Sequence, residues 1–233
     1  MKRVSVILLI LLSPLLLQAS PKLEFKERLV KSATEKAKKG EPHAQFTLGE
    51  MYYLGFLGKK DYEKAIYWYE KAAENGHTKA QFNLGYIYFT GKGGNKDYKK
   101  AFEWFQQAAE EGDPKAMRYL GEMYYKGLGV EKDYKKAFYW YKKTADLGYP
   151  RAQFQVGMMY RRGQGVEKDI HKAKYYLKRS AIQSCAEAEM ELGKMYLTGD
   201  GVEQDEQKAL RLLKKALKDG KKEAAEYLKK LQE

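Results

Sequence analysis

The chain has 233 residues, of which 44% are hydrophobic, 32% charged and 14% aromatic, with 5 Pro and 1 Cys. That is too apolar for disorder and long enough for a substantial core, and a lone Cys excludes an intramolecular disulfide or a thiolate metal site. A formal charge of +13 comes from 44 basic and 31 acidic side chains, the basic set being 36 Lys and only 8 Arg.

Lys2 and Arg3 precede an uncharged, largely apolar run from Val4 to Leu17, followed by Gln18-Ala19-Ser20. This pattern predicts a secretory signal peptide over residues 1–19, cut after Ala19, because a cut after Ser20 would leave Pro21 first. At 14 residues the run falls short of the roughly 20 that span a bilayer, and Pro14 interrupts it; an uncleaved anchor is the alternative. No Cys stands near the cut, so a lipoprotein is excluded, and no later segment is apolar enough to cross a membrane. Cleavage removes two bases and no acid, which leaves +11. Residues 22–40 then predict an N-terminal capping helix.

From residue 41 the chain repeats itself. Leu48-Gly49, Leu84-Gly85, Leu120-Gly121, Val156-Gly157 and Leu192-Gly193 follow one another at steps of 36 residues. Tyr52, Tyr88, Tyr124, Tyr160 and Tyr196 keep that step, as do Asp61, Asp97, Asp133, Asp169 and Asp205. A fixed period of this size signals a stacked array. The units run 41–76, 77–112, 113–148, 149–184 and 185–220, closed by a capping helix over 221–233.

Each unit predicts two antiparallel helices, A and B. Pro42, Pro114 and Pro150 share one column at the start of helix A, where Pro is at home. Ala44, Leu48 and Tyr52 follow the i, i+4 spacing of a buried face. Gly55, Gly91, Gly127, Gly163 and Gly199 are expected to stop helix A in a left-handed conformation. The Asp column caps helix B, whose stripe is Ala65, Trp68 and Ala72, and Gly40, Gly76, Gly112, Gly148 and Gly220 end the B helices. A mid-helix Gly costs about 1 kcal/mol against Ala, so the Leu-Gly column predicts close approach of helix B, with the small Ala columns opposite.

The stretch from Ala116 to Ala145, with Leu120-Gly121, Tyr124, Gly127, Gly129-Val130, Asp133, Lys136-Ala137 and Trp140, resembles the Sel1-like repeat, a relative of the tetratricopeptide repeat. The resemblance covers almost all of the mature chain. It implies an all-α, right-handed superhelical α/α solenoid of helix pairs with single capping helices at both ends. It further implies a scaffold or adaptor for protein assembly, exported to the periplasm or secreted. A cysteine-rich secreted subfamily, often labelled β-lactamase-like, carries two Cys per repeat; their columns fall here on residues such as Gln45 and Ala73, and none is Cys. Local departures are Leu57-Gly58 in the first turn, Tyr176 and Leu212 in the Trp column, and Ser184 in place of a helix-stopping Gly.

Catalysis finds little support in the residues. No Ser has Lys three positions on, as a penicillin-recognising enzyme of the usual kind needs, and no phosphate loop is present. His43 and His77 fall near the starts of successive A helices, but no third ligand recurs beside them, so no metal or cofactor is expected. Cys185 reads as a small, partly buried side chain.

Two residues on from the core stripe, a second stripe runs along the A helices: Phe46, Glu50 and Tyr53; Phe82, Tyr86 and Phe89; Arg118, Glu122 and Tyr125; Phe154, Met158 and Arg161. The resemblance places this face on the inner, concave side, where aromatic and Arg anchors suit a protein or peptide ligand. Phe46, Phe82 and Phe154 either face that groove or pack on the next A helix, whereas Tyr53, Phe89 and Tyr125 are expected to be exposed. Pairs such as Lys99-Lys100 and Lys135-Lys136 read as solvated faces, offering weak contact with anionic envelope polymers, and scarce Arg argues against nucleic acid. The function expected is an exported, non-catalytic scaffold, with no transmembrane span after signal cleavage and no specified oligomeric state. The alternatives are a cell-envelope enzyme of the β-lactamase or peptidoglycan-acting kind, and a secreted effector that binds host proteins.

Overall fold

A computed structural model describes residues 21–56 and 58–231. The signal peptide expected over 1–19 and Leu57 of the first turn lie outside the described residues. Among the described residues there are twelve helices and no strand: α1 (Pro21–Lys38), α2 (Pro42–Leu54), α3 (Tyr62–Glu74), α4 (Thr78–Thr90), α5 (Tyr98–Glu110), α6 (Pro114–Lys126), α7 (Tyr134–Asp146), α8 (Pro150–Arg162), α9 (Ile170–Ile182), α10 (Ala186–Thr198), α11 (Glu206–Lys218) and α12 (Ala224–Lys230). The chain divides into two compact units after Ala80. Within each unit consecutive helices pack pairwise, as a solenoid requires.

Local chemistry sets the helix ends. Pro42, Pro114 and Pro150 occupy the first turns of α2, α6 and α8. Gly127 ends α6 at φ 72°, and its N–H donates to the Met123 carbonyl at 2.8 Å. Asp133 accepts from the backbone amides of Lys135 and Lys136 at 2.8 and 3.0 Å. Asp61, Asp97, Asp169 and Asp205 accept from the amide three residues on at 2.9–3.0 Å. All five Asp are therefore helix caps.

The first unit buries Leu48 and Ala44 of α2 against Ala37 of α1, with Trp68 of α3 packed at the edge. The second unit repeats this arrangement: Leu120 and Met123 of α6 lie on Ala101, Phe105 and Ala108 of α5, and Val156 and Met159 of α8 on Ala137 and Tyr141 of α7. At the far end α12 covers Leu213 and Ala216 with Ala224.

The Leu-Gly glycines do sit at close approaches to helix B; in the first three repeats the nearest partner is an aromatic ring, and in the last two the Ala173 and Ala209 carbonyls of the Ala column lie at 3.1 and 3.5 Å from an added Cβ, beside a leucine. A Cβ at Gly49 would stand 2.6 Å from Tyr69 Cδ1, at Gly85 2.6 Å from Phe105 Cδ1, and at Gly121 2.7 Å from Tyr141 Cδ1. In the last two repeats Leu177 and Leu213 replace the ring, at 2.9 and 2.8 Å. A flat ring lying on a bare Cα excludes water over its whole face, which offsets the propensity lost by Gly.

Ser184, in the column that elsewhere holds Gly, adopts φ 59° and is exposed. A side chain in the left-handed region costs about 1 kcal/mol, so Ser184→Gly is expected to stabilise the fold by that amount in urea melts. The gain is net of one exposed hydrogen bond, from Lys215 Nζ to Ser184 Oγ at 3.2 Å.

Candidate protein-binding groove

The second stripe of the A helices divides by burial. In the first unit Phe46 is buried, its ring 4.4 Å from that of His77 and 5.8 Å from that of Tyr69. Tyr53 is half-buried edge-on to Tyr62 at 5.5 Å, and Glu50 beside it is half-buried. In the second unit Phe82, Tyr86 and Phe89 gather round Tyr119, with ring centroids 6.0, 6.0 and 5.1 Å away. Phe89 also meets Tyr98 at 5.5 Å, so this ring packs within the array more than it faces solvent. Met158 is buried as well.

Four stripe residues converge. Arg118, Glu122 and Tyr125 of α6 and Phe154 of α8 line a cavity of ≈ 270 Å³, together with Arg151 and Glu187. Glu122 accepts from Lys126 at 2.6 Å and lies 3.6 Å from Arg118, whose guanidinium covers the Tyr119 ring at 4.0 Å. The Tyr125 hydroxyl donates to Gln164 Oε1 at 2.9 Å and accepts from Arg162 at 3.3 Å. The Tyr141 phenol also reaches the cavity; burial, then the nearby Glu122 charge, pushes its pKa up, so it stays a neutral donor. Arg161 stands apart from this cavity, held at 2.8 Å by Glu191 and at 2.7 Å by Asp200.

Arg151 and Glu187 were not among the residues picked from the sequence. Arg151 lies three positions before the stripe residue Phe154, and Glu187 three before Met190, which continues the Phe154 column thirty-six residues on, so one turn of the same helical face carried the signal.

The cavity offers two guanidinium groups, two carboxylates and three rings, which is recognition chemistry. His43 and His77 have rings 6.0 Å apart, and burial, then the His43 charge, holds His77 below its ordinary pKa. Among the described residues no group of three or more His, Cys, Asp or Glu is placed to hold a metal ion. Cys185 is buried with Sγ 3.5 Å from a Glu187 oxygen.

The basic surface is more ordered than scattered lysines suggest. Lys64, Lys100, Lys136, Lys172 and Lys208, three residues after each cap Asp, stand over the rings of Tyr52, Tyr88, Tyr124, Tyr160 and Tyr196 at 5.2–5.6 Å. Lys64, Lys172 and Lys208 also pair with their Asp at 3.0, 3.2 and 2.6 Å. Lys100 and Lys136 are exposed, as expected of a solvated face, and each also stands over a ring of its own repeat, clasping the A–B turn.

Hydrogen bonding to the helix B amide and to the paired Lys lowers the pKa of Asp61, Asp169 and Asp205. A lowered folded pKa contributes stability that is complete above the ordinary value of 3.8 and is lost as pH falls from there through the folded value. Melting temperature is therefore expected to drop as pH falls below about 4, and an Asp169→Asn/Asp205→Asn variant should show a shallower acid limb.

Comparison with known proteins identifies five consecutive repeats. The model of the Sel1 repeat matches residues 42–77, 78–113, 114–149, 150–185 and 186–221. No curated protein matched the sequence. Among solved structures, a protective antigen present in uropathogenic Escherichia coli strains, with an SLR fold, is 35% identical at a TM-score of 0.79 over 85% of this chain. This chain spans only 43% of that antigen's length. A Sel1 repeat protein from Oxalobacter formigenes is 36% identical at a TM-score of 0.72, covering 87% of this chain and 86% of its own. No helix among the described residues is long and apolar enough to cross a membrane. Five matched repeats and a single Cys define the chain as a member of the Sel1-repeat family without cysteine pairs.

Proposed function

We infer that the chain is an exported, non-catalytic scaffold that holds a protein or peptide segment against the A-helix face of its second unit. The Sel1 repeat is a scaffold fold, commonly used for protein–protein interaction. The observation that carries the reading is the convergence of Arg118, Glu122, Tyr125 and Phe154 on one cavity. Paired charges at its edge and an aromatic wall suit a segment that brings an apolar side chain between polar groups. The signal-peptide pattern over residues 1–19 supports export, as does likeness to a protective antigen.

Placing the photo-crosslinker p-benzoylphenylalanine at Phe154 and, separately, at the exposed Tyr175 of α9 tests this in the native cell. Position 154 is expected to trap a discrete protein that position 175 does not, and adding Arg151→Glu should cut the yield at least about fivefold. Equal trapping from both positions would place the partner elsewhere.

A further inference from the structure

The Trp column of the B helices gives way to Tyr176 in the fourth repeat and to the smaller Leu212 in the last, where a cavity opens. Trp140 of α7 packs on a cluster that contains Ala109 and Leu120. Two repeats later Leu212 of α11 packs on the equivalent cluster, with Ala181 and Leu192. An isobutyl group is smaller than an indole, and a cavity of ≈ 420 Å³ lies here, walled by Ala181, Ile182, Leu192 and Leu212. At its lip Ile182 is 81% exposed, the most exposed of the large apolar side chains among the described residues.

A second departure in the same repeat puts a charge inside. The column is Gln at positions 45, 81 and 153 and Met at 117. Gln45 donates to the Ala37 carbonyl at 3.2 Å and accepts from Asn75 at 3.1 Å. Gln153 does the same with the Ala145 carbonyl at 3.3 Å and Gln183 at 2.9 Å. At 189 the residue is Glu, fully buried and lining the cavity. Lys215 Nζ lies 2.6 Å from its Oε1 as a charge contact without hydrogen-bond alignment. Among the described residues its Oε2 has no hydrogen-bond partner. A carboxylate only accepts, and a buried acceptor left unmatched is costly, so a donor brought to this oxygen through the cavity is favoured. The rim is cationic, with Lys178, Lys208, Arg211 and Lys215. Lys208 and Lys215 are occupied by Asp205 and Glu189, which leaves Lys178 and Arg211 to meet a ligand.

We propose that this cavity, on the B-helix side of the fourth and fifth repeats, docks an acidic protein segment that inserts a tryptophan side chain. The indole takes the space that the chain's own Trp fills in earlier repeats, and its N–H, a donor only, meets Glu189 Oε2. An aliphatic side chain would fill the space and still strand the oxygen. Flanking carboxylates on the segment pair with Lys178 and Arg211. The site shares no lining residue with the A-face groove and does not rest on that groove's function.

Calorimetric titration with the acetylated, amidated pentapeptide Asp-Glu-Trp-Glu-Asp tests it. The chain is expected to bind the peptide. Peptides with Trp replaced by Ala, or with the acids replaced by Asn and Gln, should bind at least about tenfold more weakly, and 1-methyltryptophan, which lacks the N–H, about fivefold more weakly. Leu212→Trp, which completes the column, should fill the cavity and abolish binding. Ile182→Glu changes an exposed position that the core does not use, and should weaken binding at least about tenfold through repulsion at the lip. No binding to the unmodified chain, unchanged affinity in both variants, or equal affinity for the Ala-containing peptide would each overturn the proposal; the last would reduce it to general charge attraction.

Discussion

Replacing Gly165 with alanine is expected to destabilise the second unit by about 3–4 kcal/mol, the largest effect of any single added methyl group in this chain. Gly165 has φ +70°, and a Cβ there would fall on the Tyr134 carbonyl of the preceding repeat and 2.8 Å from the Lys135 nitrogen. Both penalties act at once. The left-handed backbone is strained for any L side chain, and the clash is with main chain at the start of α7, which cannot swing away as a side-chain tip would. Because coupling in such an array runs between neighbouring repeats, the expected signature is a broadened or split transition as well as a midpoint lowered by about 10 °C. Gly201 is the matched control: its φ is +70° too, but a Cβ would meet the Ile170 side chain. Gly201→Ala should cost only about half as much. Equal losses at the two positions would show that backbone strain alone governs both.

Truncating Tyr141 to alanine is expected to cost about 3–5 kcal/mol in urea denaturation. Its ring lies flat on Gly121 and is 4% exposed, so removing it leaves a void beside a residue that has no side chain with which to close it. Tyr141→Leu copies Leu177 and Leu213, which serve the same glycine column in the next two repeats, and should cost only about 1–1.5 kcal/mol. A Leu variant as unstable as the Ala variant would mean that the ring, and not apolar contact with the glycine, is what the third repeat requires.

The helix boundaries were legible from the columns because each is set by backbone chemistry local to a few residues: Pro in a first turn, Asp before helix B, Gly at positive φ. The core register of helix B was legible only in part. Trp68 and Tyr69 both suit the stripe that starts at Ala65, and periodicity does not say which of two adjacent rings lies on the glycine; side-chain direction makes it Tyr69. The site behaved likewise. That one face of each A helix carries a second stripe followed from the sequence, but its exposure did not. Phe89 is covered by Tyr119, a residue of the next A helix adjacent to Arg118 and outside the stripe. The role of Lys136 was equally hidden, because the Tyr124 ring it covers stands twelve positions upstream and is brought near only by the turn.

These clasped lysines give the chain two classes of primary amine. Lys64, Lys172 and Lys208 have pKa values raised by their Asp partners, so at a given pH less of each is unprotonated and nucleophilic. Acetylating agents and succinimidyl esters will modify exposed lysines without such a partner, such as Lys178, ahead of them. Lys64, Lys172 and Lys208 will therefore stand late among the adducts, the last two of them thirty-six residues apart in successive repeats.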